Sequence, residues 1–207
     1  MTKLVLSLIL AAGAVFGQYT SAPAGPPPSE LNAGIAATLQ KDGTKIMNGS
    51  TVVCEIWFRA TAPSGPKSGE DNVSLPNIPQ GTLLGAMRFP VRGADRRGNP
   101  IAPGVYTLRY SNFPQNGDHQ GVAPQRDFLL LSKAADDQDA NATPGFKELV
   151  AMSEKATGAP HPGVFSFWKQ ESDFKPGFAK AGENDWVLQT KLGDIPISVI
   201  LIGKVEG

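Results

Sequence analysis

The strongest constraint on this chain is an apolar pattern of period two, cut short again and again by glycine and proline. Thr51 to Ala60 (TVVCEIWFRA) sets Val53, Glu55 and Trp57 against Val52, Cys54, Ile56 and Phe58. Both sides are largely apolar, as in a strand covered on both faces. The alternation returns at 82–91, 104–113, 127–132, 163–168, 185–192 and 195–205. Pro196 falls at the start of its strand, where a missing N–H is tolerated. Residues 34–39 and 44–47 flank Lys41-Asp42-Gly43 and read as a hairpin. The stretches 61–81, 112–125 and 134–145 are soft, and 23 glycines and 18 prolines in 207 residues leave little room for long helices. One segment has helical spacing. Thr143 is a cap, Pro144 suits the first helical position, and Phe146, Leu149, Val150 and Met152 form a stripe ending near Gly158. The pattern predicts a mainly β fold, an antiparallel β-sandwich with one short α-helix over about residues 144–157.

The N-terminus is of another kind. Lys3 is its only charge, and Leu4 to Phe16 is an unbroken apolar run of 13 residues. A helix that crosses a bilayer needs about 20. The run fits a signal peptide over residues 1–17, with Val15 and Gly17 as the small residues before a cut at Gln18; a cut after Ala22 is the alternative. The only cysteine, Cys54, lies far from either cut, so no lipid-anchor motif accompanies them. The expectation is a secreted or periplasmic protein with no membrane span after signal cleavage. Residues 18–33 (QYTSAPAGPPPSELNA) read as a Pro/Ala-rich linker, extended and solvated, with nothing to bury. Residues 34–207 then form a single β-sandwich domain, in which Cys54 is a small buried side chain.

Composition excludes several functions. With 19 Lys+Arg against 19 Asp+Glu the formal net charge is zero, so no long-range field gathers nucleic acid or anionic lipid. One cysteine gives no internal disulfide and no cysteine-based zinc cluster. There is no G-x-S-x-G elbow, no phosphate-binding glycine loop, and no βαβ rhythm to support a nucleotide site.

Two clusters carry candidate chemistry. Asn116-Gly117-Asp118-His119-Gln120 is followed by Arg126-Asp127. Asp118, His119, Arg126 and Asp127, with His161 as a distant second imidazole, are candidate binding residues or an acid–base set. The second cluster has the spacing of a calcium loop. Asp137, Asp139, Asn141, Thr143, Gly145 and Glu148 fall at positions 1, 3, 5, 7, 9 and 12, and hard oxygens at every second residue can wrap one cation. Ala142 stands where such a loop wants glycine, and Pro144 removes a backbone donor. Calcium is the one cofactor in view; otherwise none is expected. Asn48, Asn72 and Asn141 begin N-x-[ST] triplets, which matter only in a glycosylating host.

Asn99 to Tyr110 (NPIAPGVYTLRY), with Leu83 to Pro90 before it, joins a Pro-Gly turn to an alternating strand. These residues resemble a family of uncharacterised secreted bacterial β-sandwich proteins that carry a domain of unknown function (DUF2911). The resemblance implies secretion and a β-sandwich, and brings no catalytic residues. The reading that follows is a non-catalytic binding or accessory module whose partner is an unknown protein or small molecule. The alternatives are a metal-dependent hydrolase built on His119, Asp127 and His161, and a structural component of a cell-surface assembly.

Overall fold

The strands of this chain join edge to edge in one large antiparallel sheet. Residues 19–113 and 126–204 are described by the structure, a computed structural model. In chain order the elements are β1 (Tyr19–Gly25), α1 (Ala33–Ala36), β2 (Gly43–Asn48), β3 (Thr51–Phe58), β4 (Leu83–Phe89), β5 (Gly93–Ala94), β6 (Pro100–Ile101), β7 (Gly104–Asn112), β8 (Asp127–Lys133), α2 (Phe146–Thr157), β9 (Val164–Lys169), β10 (Gly177–Ala181), β11 (Asp185–Leu192) and β12 (Ile195–Ile202). Ten strands form one antiparallel sheet in the order β1-β2-β3-β4-β7-β8-β9-β12-β11-β10, and β5 and β6 make a separate small ribbon. The sheet curls until its edges approach: the Tyr19 ring meets Trp186 edge-on with centroids 5.3 Å apart. The expectation of a mainly β, antiparallel fold with one substantial helix is met. The walls of the core are joined in one nearly barrel-shaped sheet of ten strands, and a β-sandwich is not confirmed.

Side-chain alternation sorts the core. Tyr106, Leu108 and Tyr110 of β7, Leu129 and Leu131 of β8, and Phe165 and Phe167 of β9 point inward with Cys54, Ile56 and Phe58 of β3. Residues of opposite parity build two outer clusters. Trp57 and Leu83 pack with Ile35 of α1, and Phe128, Leu130 and Val164 pack with Leu149 of α2.

Three local expectations need correction. Residues 34–39 are not a strand: the Asn32 side chain accepts a hydrogen bond from the Gly34 N–H at 2.8 Å and caps the short α1, which seats Ile35 in the core. Leu39 keeps only an isolated bridge to Arg59. The helix begins at Phe146, with Gly145 rather than Thr143 as its cap. Thr143 and Pro144 instead lie against Gly81, where a Cβ would meet the Pro144 carbonyl oxygen at 2.3 Å. The far end is as expected: Gly158 adopts φ +66 and its N–H reaches the Glu154 carbonyl at 2.8 Å.

The third correction concerns residues 18–33. Tyr19–Gly25 is an edge strand paired with β2 from Tyr19↔Asn48 to Gly25↔Gly43, and Trp57 Nε1 donates to the Gly25 carbonyl at 2.8 Å. Leu31 is buried against α1. Prolines hid a strand whose bonds come from the backbone of its neighbours. Removing residues 19–25 is therefore expected to cost about 2–3 kcal/mol and lower Tm by about 5–10 °C in a calorimetric scan. An unchanged Tm would mean that the strand does not dock.

Cys54 is fully buried, as its strand implied. Burial, with Glu55 beside it as the smaller cause, pushes the thiol up to about 12. A thiol that ionises later in the folded state than in the unfolded chain adds stability that is complete below about pH 9 and is lost as pH climbs toward 12. The native thiol should not react with a disulfide reagent at pH 8, whereas the denatured chain should titrate one thiol per molecule. The variant Cys54→Val should show a flatter alkaline unfolding limb than the wild type.

Candidate functional site

Of the sequence candidates among the described residues, Arg126 is the one that borders an open groove. It precedes β8, and its groove lies at the end of the barrel where β7 finishes and β8 begins. A space of about 610 Å³ opens there between the β3–β4 loop (Pro66, Ser68, Glu70, Ile78, Pro79, Gln80), the end of β7 (Asn112, Phe113), Arg126 and the start of α2 (Phe146). The Arg126 guanidinium donates to Glu70 Oε2 at 2.8 Å, to the Phe113 carbonyl from Nε at 3.1 Å and Nη2 at 2.6 Å, and from Nη1 to the Asp71 carbonyl. Arg126 and Glu70 thus neutralise each other on one wall. On another, Gln80 Nε2 donates to Ser111 Oγ at 2.9 Å. Asn112 Oδ1 is buried and accepts no hydrogen bond. Asp118 and His119 lie outside the described residues, in the segment that leaves this end of the barrel at Phe113 and returns at Arg126.

Asp127 has a different task. Its carboxylate is almost fully buried and accepts from the Ser74 N–H at 2.8 Å, the Leu75 N–H at 3.3 Å and the Tyr110 hydroxyl at 2.6 Å. Those bonds pin the β3–β4 loop so that Leu75 and Ile78 enter the inner core and close this end of the barrel. Burial, then the negative charge of Asp127, raise the Tyr110 phenol well above its ordinary range, so the hydroxyl stays a donor.

His161 is not brought to Asp127. It is exposed in the turn after α2, where its carbonyl accepts from Thr157 Oγ1 at 2.9 Å, and it borders a cavity lined by Phe128 and Leu130. Those two residues face outward from β8, whereas Asp127 bonds to Tyr110 on the inward face. The sheet stands between the carboxylate and the imidazole.

The calcium pattern also finds another occupant. Arg109, on the outer face of β7, is wholly buried, and all five of its N–H groups are engaged. Nε and Nη2 reach the two Asp137 oxygens at 2.6 Å each. Nη1 reaches the carbonyls of Gly81 at 2.9 Å and Ala142 at 2.5 Å, and Nη2 that of Asp139 at 2.7 Å. Thr107 Oγ1 adds a bond of 2.5 Å to Asp137 Oδ2. The loop wraps a guanidinium. Asp139 Oδ1 accepts from the Asn141 N–H at 2.9 Å, and Asn141, Thr143 and Glu148 are exposed. Among the described residues no three His, Cys, Asp or Glu side chains converge as a metal-ligand set.

The groove residues that the sequence did not single out are Glu70, Gln80, Asn112 and Phe146. The soft stretch 61–81 was the signal for Glu70 and Gln80, since long loops inside compact folds tend to carry function, whereas Asn112 opened a second soft stretch and Phe146 belonged to the helical stripe. No helix among the described residues is long and apolar enough to cross a membrane. Comparisons with family models, with curated proteins and with solved structures return no match to this chain.

Proposed function

We propose that this chain is an exported, non-catalytic binding module that recognises a neutral, hydroxyl- or amide-bearing ligand of saccharide type in the groove beside Arg126. The observation that carries the reading is the chemistry of that groove. Among the described residues its one cation and its neighbouring carboxylate are paired, its Asn112 acceptor is unsatisfied, and Phe113 and Phe146 line it with aromatic rings. A paired wall favours neither anions nor cations. Amides and a carboxylate match hydroxyl donors, and aromatic rings match the apolar face of a sugar. Loops held by a rigid sheet are the usual place for such recognition.

Export by a signal peptide cut before Gln18, to the periplasm or the outside, is part of the proposal. Supporting that cut over one after Ala22 is β1, whose pairing begins at Tyr19. The later cut would remove half of an edge strand. The mass of exported protein checks this directly.

The binding reading is tested by titrating neutral disaccharides into isotope-labelled protein. Amide shifts are expected at Ser68, Glu70, Gln80, Asn112 and Arg126, and Gln80→Ala should weaken the response severalfold. Shifts that are absent at millimolar ligand, or spread evenly over the barrel, would end the reading.

A further inference from the structure

A second space opens on the outer face, between α2 and the sheet. It is a partly open cavity of about 220 Å³ walled by Phe113, Phe128 and Leu130 from the β7–β8 hairpin, Val164 of β9, and Phe146 and Val150 of α2. A dry apolar cavity of about 150 Å³ is enough to admit a benzene ring, so this one admits a side chain of phenylalanine or leucine size. The apolar stripe of the helix breaks off over this space. Phe146 and Val150 are one turn apart, and the next position on that line is Glu154, where a carboxylate that also borders the cavity takes the place of an apolar contact. Pro160, His161 and Pro162 close the end, and Arg97 reaches the same rim from the β5–β6 turn. No ion pair of the Arg97 guanidinium or the Glu154 carboxylate occurs among the described residues.

We propose that this cavity binds a free apolar α-amino acid. Its side chain lies against Phe128, Leu130 and Val150, its carboxylate faces Arg97, and its ammonium faces Glu154. An apolar pocket whose mouth carries one cation and one anion complements a zwitterion with an apolar side chain. A fatty acid would leave Glu154 opposed, and an amine would leave Arg97 opposed. The proposal is independent of the saccharide groove. The two sites share Phe113 and Phe146 as a common wall, but Val150, Glu154 and Arg97 belong to this one alone.

The test is calorimetric titration and thermal shift of the whole mature chain with L-phenylalanine and L-leucine. The controls are glycine, phenylacetate and phenethylamine. Phenylalanine is expected to bind with a dissociation constant on the order of 0.1 mM and to raise Tm with concentration. Glycine should give no response, and phenylacetate and phenethylamine should each bind about tenfold more weakly. Val150→Phe should fill the cavity, keep or raise Tm, and abolish the response to phenylalanine. Arg97→Gln and Glu154→Gln, both at the rim, should each weaken binding by about tenfold without changing the Tm of the free protein. No response to phenylalanine or leucine at millimolar concentration would overturn the proposal. So would equal binding of phenylacetate, or unchanged binding in Val150→Phe.

Discussion

Replacing Arg109 by methionine is expected to destabilise the fold by about 3–5 kcal/mol, because one partner of a buried ion pair is removed and the other stays. The loss falls on several groups at once. Asp137 keeps only Thr107 as a donor, and the carbonyls of Gly81, Asp139 and Ala142 lose the donors that draw the 137–142 loop onto the sheet. Arg109→Lys should recover only part, since an ammonium has three donors to set against five and cannot meet both Asp137 oxygens side by side. The double replacement Arg109→Met with Asp137→Leu should lie closer to the wild type than the single one, because no charge is then stranded. Urea unfolding of the four proteins decides this. A single replacement costing less than about 1 kcal/mol would show that the pair is not buried as described. Calcium should leave the Tm of the wild type unchanged, since both Asp137 oxygens are already committed to Arg109.

The second large effect is expected at Asp127. Asp127→Ala strands two backbone N–H groups and the Tyr110 hydroxyl in the interior, at a cost of about 3–4 kcal/mol. Tyr110→Phe removes one of those bonds together with its donor, so about 1–2 kcal/mol is expected. The two variants should also differ in kind. Without the carboxylate the β3–β4 loop loses its anchor, so amide exchange at Ser74 and Leu75 should accelerate far more than exchange in β7 or β12, and the disaccharide response should fade with it. Uniform acceleration through the barrel would mean that Asp127 supports the whole sheet and not the loop.

These two residues also mark where the sequence could be read and where it misled. Alternation placed β3, β4, β7, β8, β9, β11 and β12 well, because each carries enough Val, Ile, Leu or Phe to show its period. It missed β1 and β10, edge strands with little to bury whose bonds are supplied by neighbours. It misread α1, where Ile35 and Leu39 mimic an apolar strand and only Asn32 signals a cap. Whether strands close into one sheet or split into two depends on pairings between distant segments, such as β9 with β12, which period does not encode. The candidate site followed the same rule. Arg126 was legible as a candidate binding residue of the polar cluster that ends at Asp127. Asp127 was read as a ligand because its partners Ser74 and Leu75 are more than 50 residues away. In the 137–143 loop only Asp137 of the spaced side chains meets a cation, and that cation is Arg109 of β7, 28 residues upstream.

The direction of the strands has a practical consequence. β1 starts at Tyr19, Tyr19 packs on Trp186, and Trp186 pairs with Ile202 near the close of β12. The first and last strands of the sheet's chain path therefore begin and finish at the rim of the barrel that carries the Asn48 and Gly104 turns, opposite the rim that carries Asn112 and Arg126. A tether joined at either of those points leaves the groove facing away from its support. Protein immobilised through a tag after β12 presents its groove to solution, and a fusion placed before Tyr19 stands clear of it as well.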